Sequence, residues 1–299
     1  MGTLALVTDA TSLPIDYDMP PLLEACQTVG LATEVCSWED PATDWSRFDA
    51  VLFRSPWTWA ERLPEFLAFC ERIAAVTHLI TPMSLVRWAL DKRYLADIAA
   101  HGVPVIPHKI VAPGADPLRA VQEFLAAHPR AEEFVIKPTD GCYSKDVQRY
   151  ARPLEAAAAQ HVARLLGNGS HVLMQPYVAS VDRDGEIDLT YFDGVYSHAI
   201  HKSAMLMRDG TVKVPTLEYR KARVADEDER AVASAALAAS ASHLGLERPL
   251  ICGRVDLVRG DDGKPMVLEM ELCEPSLNLT FSEDSALRLA QALAERLKS

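Results

Sequence analysis

Two segments near the C-terminal end alternate between apolar and charged residues, and this pattern constrains the fold more than any other. The segments are 251–258 and 266–272. Because successive side chains of a strand point to opposite faces, Arg254 and Asp256 share one face of the first segment, and Glu269 and Glu271 share one face of the second. A connection of even length between the strands brings the four charged side chains to one face of a hairpin. The opposite face is expected to pack inward through the residues at the even positions, Met266, Leu268, Met270 and Leu272.

Three of these charged residues, Asp256, Glu269 and Glu271, are carboxylates. Carboxylates a few ångströms apart repel each other and cost stability unless a cation lies among them. An oxygen-only ligand set favours magnesium or manganese. The alternative is an ordinary hairpin with one solvated polar face. Alternating hairpins are more often of this second kind, but two observations weigh against it here. The face carries no interleaved lysine or threonine, and the following residues 273–278 stay polar, as the rim of a site would.

Length and charge narrow the class of protein. A chain of 299 residues with 49% hydrophobic and 24% charged residues is typical of a globular protein with two domains or one elaborate domain. The net charge of -12 disfavours nucleic acid as a partner but leaves small anions open. No apolar run approaches the roughly 18 residues of a membrane span, and the first residues lack the basic region of a secretory signal. We expect a cytoplasmic protein without a membrane partner, and a homo-oligomer stays open.

The first hundred residues have the pattern of an α/β unit. Apolar strand-like runs alternate with helical patterns, the first three runs being 3–7, 32–36 and 50–53. Ligands of such sheets bind beyond the carboxyl ends of the strands, where two long loops lie. The loops offer Asp16, Arg54, Ser55 and Trp57 as substrate contacts. Alternatively, Trp57 packs in a domain interface and Arg54 caps a loop.

After residue 104 the pattern changes to α+β. Two turn sequences, Asp-Gly at 193–194 and Asp-Asp-Gly-Lys at 261–264, connect alternating runs and predict β-hairpins. Helical patterns lie between and after these strands, at 117–127, 154–166, 228–243 and 284–298.

Two lysines lie where a phosphate-binding protein would need them. Lys137 ends a predicted strand and precedes the loop 139–144, an arrangement that grips phosphates beneath a covering loop. Lys92 falls in the apolar stripe of a helix predicted over 84–100, so it faces the protein or a cleft. Alternatively, each lysine buries its stem and extends its ammonium group into solvent.

Together these motifs resemble the ATP-grasp superfamily. Residues 253–256 (Gly-Arg-Val-Asp) and 268–271 (Leu-Glu-Met-Glu) are similar to the strands that hold magnesium in D-alanine:D-alanine ligase and glutathione synthetase. Residues 173–178 resemble the hinge beside adenine, and 185–186 resemble the site of the glutamate that holds ribose. The resemblance implies an ATP-grasp fold with an N-terminal Rossmann-like domain. The implied units are 1–100, 101–180 and 181–299.

The resemblance also implies roles for individual residues. Lys92, Lys137, Gln175, Val178 and Glu186 would bind ATP, while Asp256, Glu269 and Glu271 would hold magnesium or manganese, with two metal ions expected. Arg254 and Lys202 would neutralise charge on the transferred phosphoryl group. Glu271 replaces the usual asparagine, which makes the metal site more negative or directs Glu271 toward a substrate ammonium group. The loop after Lys137 has one glycine where many relatives have several.

Within the superfamily, residues 54–57, 193–202 and 274–277 resemble a small bacterial group involved in antibiotic biosynthesis, the O-ureido-D-serine cyclo-ligases. This resemblance implies activation of a carboxylate as an acyl phosphate and cyclisation of O-ureido-D-serine to D-cycloserine. Glu274 and Asn278 would then lie at the rim of the site for this small, amino-acid-derived substrate. Three alternatives stay open: an intermolecular carboxylate-amine ligase making a dipeptide-like or glutathione-like product, a magnesium-dependent hydrolase, and a non-catalytic nucleotide-binding module.

Overall fold

The computed structural model describes residues 2–208, 212 and 219–298, and its strands form three sheets. The first sheet contains β1 (Thr3–Thr8), β2 (Ala32–Ser37), β3 (Ala50–Ser55) and β4 (His78–Leu79). These strands are parallel and lie in the order β2-β1-β3-β4. The helices of this part are α1 (Met19–Thr28), α2 (Leu63–Ala74), α3 (Met83–Ala89) and α4 (Tyr94–Ala100).

The central strands of the first sheet, β1 and β3, are largely apolar and buried because both faces of the sheet are covered there, whereas the edge strand β2 is partly exposed. In β1, Leu4 and Leu6 belong to one buried cluster, while Ala5 and Val7 belong to another. The predicted β-α-β beginning of the chain is confirmed.

The second sheet is antiparallel. It contains β5 (Lys109–Val111), β6 (Glu133–Pro138), β7 (Gln148–Ala151) and β8 (Val172–Pro176), in the order β5-β8-β6-β7. Two helices accompany it, α5 (Pro117–Ala127) and α6 (Glu155–Gly167). Their bounds agree with the predicted helices to within one residue.

The third sheet is also antiparallel and carries most of the charged residues singled out above. It contains β9 (Glu186–Phe192), β10 (Val195–Lys202), β11 (Arg220–Arg223), β12 (Cys252–Arg259) and β13 (Pro265–Glu271), in the order β11-β10-β9-β12-β13. The remaining helices are α7 (Val181–Asp184), α8 (Glu227–Leu244) and α9 (Ser285–Arg296). Both predicted hairpins, β9-β10 and β12-β13, are confirmed.

Helix α9 lies beside the first sheet although it ends the chain. Leu289 and Leu293 of α9 belong to the same buried cluster as Leu4 of β1 and Leu22 of α1. Among the described residues, no helix combines the length and the apolar character needed to cross a membrane.

The prediction of a single helix over 84–100 is wrong, because the helix is interrupted between α3 and α4. At the break, the backbone N–H of Lys92 donates a hydrogen bond of 2.7 Å to the carbonyl oxygen of Thr139. Asp91 forms an isolated β-bridge with Asp140. These contacts with the end of β6 replace helical hydrogen bonds, so Lys92 lies in a connection and not on a helix face.

The predicted inward packing of all four even positions in β13 is also wrong. A β-bulge shifts the register, so that Asp256 pairs with Glu269 and the next residue, Leu257, pairs with Val267. The extra residue changes the faces of the strand before it. Val267 therefore joins Met270 and Leu272 in the main core, whereas Met266 and Leu268 pack against a separate cluster that includes Ile106 and Val258.

Gly185 is required where β9 begins beside β10. Its backbone has φ +68° and ψ -161°, a region essentially restricted to glycine. A Cβ atom there would overlap the backbone oxygen of Lys202 and the ring of His201. The close approach places Glu186 opposite Lys202.

We predict that Gly185→Ala lowers the free energy of unfolding by at least about 1 to 3 kcal/mol, the cost of such a backbone conformation. Chemical denaturation measures the change. The matched control is Gly167→Ala at the end of α6, where a Cβ atom would meet nothing within 4 Å. This control should leave stability unchanged or raise it by up to about 1 kcal/mol. Equal effects of the two substitutions would contradict the assignment.

Candidate active site

The predicted polar face of the β12-β13 hairpin exists and continues onto β9. Asp256 lies opposite Glu269 on β13 and opposite Asp188 on β9, and Arg254 lies opposite Glu271. Residues directly opposite each other in an antiparallel pair share one face, so these side chains converge. The β12 part of the face is buried, since Arg254 is 4% exposed and Asp256 is 0% exposed, whereas the side chains of Glu269 and Glu271 on β13 are 26% and 36% exposed. The burial of Arg254 and Asp256 distinguishes this hairpin from one with an ordinary solvated polar face.

Arg254 is held by two carboxylates and a loop carbonyl. Its Nε and Nη2 atoms donate to the two carboxylate oxygens of Asp256 at 2.7 and 2.8 Å. Its Nη2 also lies 2.7 Å from Oε1 of Glu271, and its Nη1 donates to the carbonyl oxygen of Ser276 at 2.9 Å. A guanidinium bound in this bidentate way has a fixed orientation.

Lys202 of β10 is buried against three carboxylates. Its Nζ lies 2.7 Å from Oε2 of Glu186, 3.6 Å from Oδ1 of Asp188 and 3.7 Å from Oδ2 of Asp256. Burial alone would lower the pKa of this lysine, but the carboxylates outweigh it and raise the pKa above its ordinary value. Lys202 is therefore a fixed positive charge.

The two predicted phosphate-binding lysines meet at Glu269 although they come from separate segments. The Nζ atoms of Lys137 and Lys92 lie 3.6 and 3.9 Å from Oε2 of Glu269. Lys92 also donates to the carbonyl oxygen of Gly141 at 2.9 Å. Burial lowers the pKa of Lys137, whose ammonium group does not reach solvent. The predicted placement of both lysines in a cleft is observed, and the solvent-directed alternative fails for Lys137.

Burial and charge act in opposite directions on the two glutamates of β13. Burial would raise the pKa of Glu269, but Lys137, Lys92 and Lys202 lower it to about 2. Burial raises the pKa of Glu271 to about 7, because Arg254 opposes this increase only in part while Asp256 and Glu269 add to it.

Protein side chains already compensate much of the charge on this face. Ion pairs join its carboxylates to four cations, Lys92, Lys137, Lys202 and Arg254. The expectation that the carboxylates destabilise the protein unless a metal ion lies among them therefore needs correction. An oxygen atom from each of Asp256, Glu269 and Glu271 still lies within 4.8 Å of the others, which fits a hard divalent cation.

A cavity joins these groups to the other two sheets. Its walls include Lys92 from the α3-α4 connection, Lys137 and Tyr143 from the second sheet and its loop, and Trp57 beyond β3. The loop after Lys137 covers the cavity: Sγ of Cys142 donates to the carbonyl oxygen of Trp57, and the rings of Tyr143 and Trp57 meet edge to face with centroids 5.1 Å apart. Tyr143 and Ser144 take left-handed backbone conformations without being glycine.

The predicted adenine and ribose contacts lie in two places. Glu186 lines the cavity, whereas Gln175 and Val178 are not part of its lining. Gln175 is 2% exposed, and its Nε2 atom has no hydrogen-bond partner among the described residues. Val178 packs against the cluster of residues that also contacts Leu268.

The structure separates the predicted substrate contacts into two groups. Trp57 and Glu274 line the cavity, and Nε1 of Trp57 donates to the backbone oxygen of Glu274 at 3.1 Å. The others, Asp16, Arg54, Ser55 and Asn278, are buried and are not among the residues that line this cavity. Arg54 donates to Oδ2 of Asp16 at 3.1 Å and to the carbonyl oxygen of Pro275 at 2.7 Å. The prediction of direct substrate contact does not fit Arg54 and Asp16, because each is committed to the other.

Sequence reasoning missed three charged residues in or near the cavity, Asp188, Arg220 and Lys145. Asp188 shares a strand face with Glu186, so the alternation that revealed Asp256 could have revealed it too. Arg220 lines the cavity from the short edge strand β11, and no sequence pattern distinguishes it from the arginines around it.

Comparison with known proteins agrees with this arrangement. The family model of the D-cycloserine synthetase DcsG N-terminal domain matches residues 4–81. The cycloserine biosynthesis protein DcsG of Streptomyces lavendulae is 78% identical over 298 residues, covering 100% of both chains. A crystal structure of D-cycloserine synthetase DcsG superposes with a TM-score of 0.98 at 78% identity, covering 99% of this chain and 100% of the other.

Two more distant solved structures share the fold. D-alanine–D-alanine ligase from Bacillus anthracis has a TM-score of 0.67 at 14% identity, covering 100% of this chain and 97% of the other. ATP-grasp ligase PsnB, complexed with precursor peptide PsnA2 and AMPPNP, has a TM-score of 0.63 at 16% identity, covering 99% and 97%. The predicted ATP-grasp fold and the resemblance to the cyclo-ligase group are confirmed. The chain belongs to the family of the cycloserine biosynthesis protein DcsG and has the fold of the ATP-grasp ligases.

Proposed function

We propose that this chain is an ATP- and magnesium-dependent ligase that cyclises O-ureido-D-serine to D-cycloserine. The observation that carries the proposal is the cavity in which Arg254 and Lys202 lie among carboxylates while Lys92 and Lys137 face Glu269. Oxygen ligands and fixed cations together suit phosphoryl transfer. The 78% identity to a cycloserine biosynthesis protein supports the choice of substrate.

The proposed reaction has three steps on one substrate molecule. A carboxylate oxygen of the substrate attacks the γ-phosphorus of ATP, which releases ADP and forms an acyl phosphate. The oxygen-bound nitrogen of the same molecule then attacks the acyl carbon and displaces phosphate, and addition of water releases the ureido carbonyl as carbon dioxide and ammonia. Holding both ends of one molecule in attack geometry gives effective molarities of roughly 10⁵ to 10⁸ M.

The nucleotide would lie between the second and third sheets. When ATP binds, Lys92 and Lys137 would contact the α- and β-phosphates in place of Glu269, because a phosphate oxygen offers the same charge-assisted contact. Glu186 would hold the ribose, with its orientation fixed by Lys202 at 2.7 Å. Gln175 and Val178 are the proposed contacts near adenine. Nε2 of Gln175 has no hydrogen-bond partner among the described residues, which supports this proposal for Gln175.

Asp256, Glu269 and Glu271 would hold the magnesium, and we propose that two magnesium ions bind. When bound, magnesium screens the negative charge of the phosphates. Arg254 and Lys202 would hold the transferred phosphoryl group, since both are positive and fixed in place. Trp57 and Glu274 would form the substrate wall, while Asp16, Arg54, Ser55 and Asn278 support it from behind. We propose that the chain is organised as three domains, residues 1–100, 101–180 and 181–299.

Turnover assays with the purified chain test this function. ATP, magnesium and O-ureido-D-serine should give D-cycloserine and ADP in a one-to-one ratio, measured by mass spectrometry and a coupled ADP assay. Product that requires an added amino acid would instead indicate an intermolecular ligase. Hydrolysis without nucleotide would indicate a hydrolase, and ATP binding without turnover of any amino-acid derivative would indicate a binding module.

We predict that Lys137→Ala and Lys92→Ala each weaken ATP binding by roughly tenfold to hundredfold, the value of one charge-assisted contact. Calorimetric titration with ATP and magnesium measures the affinity, and circular dichroism checks the fold. Lys109→Ala is the control, because this lysine pairs with Glu123 outside the cavity. Unchanged affinity in both cavity variants would refute the phosphate assignment.

We predict that Asp256→Asn lowers the free energy of unfolding by about 1.5 to 3 kcal/mol in metal-free buffer, because it removes a charge from the bidentate contact with Arg254. It should also abolish turnover. Urea denaturation measures the stability, with Asp261→Asn in the exposed turn of the same hairpin as control. A more stable Asp256→Asn variant would mean that repulsion from Asp188 and Glu269 exceeds the attraction to Arg254.

A further inference from the structure

Arg220 differs from the other cations that line the cavity. In the described part of the chain these cations are Lys92, Lys137, Lys145, Lys202, Arg220 and Arg254. Each of the others has a carboxylate oxygen within 4.0 Å. Among the described residues, the hydrogen-bond partner of Arg220 is a neutral amide instead: its Nη1 donates to Oδ1 of Asn278 at 2.8 Å. Its Nε atom is buried and has no hydrogen-bond partner in the part of the chain that the structure describes.

The contacts of Asn278 fix the position of this guanidinium. Nδ2 of Asn278 lies 3.4 Å from the carbonyl oxygen of Ser276, which also accepts the hydrogen bond from Arg254. The backbone N–H groups of residues 277–279 all donate to the carboxylate of Asp18, at 2.6, 3.1 and 2.7 Å. A loop held by so many buried hydrogen bonds is rigid. Arg220 and Arg254 thus meet one rigid loop, and among the described residues only Arg254 has carboxylate partners.

A buried N–H group without an acceptor costs free energy until an acceptor arrives. A guanidinium matches a carboxylate with two parallel hydrogen bonds, which a lysine cannot provide. We propose that Arg220 binds the carboxylate of the amino-acid substrate, the group that receives the phosphoryl group, and that Asn278 is its positioning residue. This inference rests on the proposed ligase function.

The strand order favours the substrate carboxylate over a phosphate of ATP. Arg220 begins β11, which forms one edge of the five-stranded sheet, and Glu269 lies on β13 at the other edge. Lys92 and Lys137, the proposed contacts for the α- and β-phosphates, gather at Glu269. Arg220 therefore lies across the sheet from the proposed α- and β-phosphate contacts. It lies directly opposite Lys202, the proposed contact of the transferred phosphoryl group, which is where the substrate carboxylate must be to receive that group.

Steady-state kinetics with Arg220→Gln tests the proposal. We expect the KM for O-ureido-D-serine to rise by roughly tenfold to hundredfold, while ATP affinity stays within about twofold of wild type. The matched control is Lys221→Gln, which removes a positive charge from an exposed side chain of the same strand. Arg220→Lys keeps the positive charge but cannot form two parallel hydrogen bonds with a carboxylate, so its KM should lie between those of wild type and Arg220→Gln.

Two further measurements separate recognition from a structural role. The carboxamide analogue of the substrate should bind wild type more weakly than the substrate, and Arg220→Gln should bind the two equally. Asn278→Asp should also raise KM, because the new carboxylate competes for Arg220, and it keeps a residue type that tolerates the left-handed backbone. Failure of wild type to consume O-ureido-D-serine would refute the proposed function itself. An active wild type with unchanged KM in Arg220→Gln and Asn278→Asp, or with a loss of ATP affinity alone, would overturn the inference.

Discussion

Charge neutralisation on a buried face is the constraint from which the arrangement of this protein follows. Ionised groups removed from water must find partners inside the protein. Arg254 takes Asp256 and Glu271, and Lys202 lies among three carboxylates. The groups proposed for catalysis are therefore oriented before any ligand binds, and ATP and magnesium would enter by exchanging partners instead of creating an ordered site.

The same principle explains the proposed substrate wall formed by Trp57 and Glu274. Nε of Arg54 donates a hydrogen bond to Asp16, and Nη1 of Arg54 donates one to the backbone oxygen of Pro275. Asp18 accepts three backbone hydrogen bonds from the loop beyond β13. The N-terminal sheet thus acts on the cavity through a buried network and fixes the loop that carries Asn278. Its charged residues shape the proposed substrate wall without touching the cavity.

One irregularity in β13 lets a single strand serve two purposes. Ordinary alternation places Glu269 and Glu271 on the charged face, while the bulge just before Glu269 turns Leu268 toward the cavity and leaves Val267 and Met270 in the main core. A regular strand would place Leu268 with the core residues. The proposed metal ligands and an apolar wall of the cavity consequently come from neighbouring residues, which ties the position of a nucleotide to the position of the metal.

The sequence by itself determined the features that depend on local periodicity. Alternation predicted the β12-β13 hairpin and the shared face of Arg254, Asp256, Glu269 and Glu271, because side-chain direction in a strand repeats every second residue. Only the tertiary structure decided the break that places Lys92 in a connection, the ion pair and hydrogen bond of Arg54 with Asp16 and Pro275, and the hydrogen bond of Arg220 with Asn278. Each of these depends on a contact between residues far apart in the chain, and the Arg54 contact spans 221 positions. The pattern of neighbouring residues does not predict such a contact, because the contact forms only when the sheets pack together.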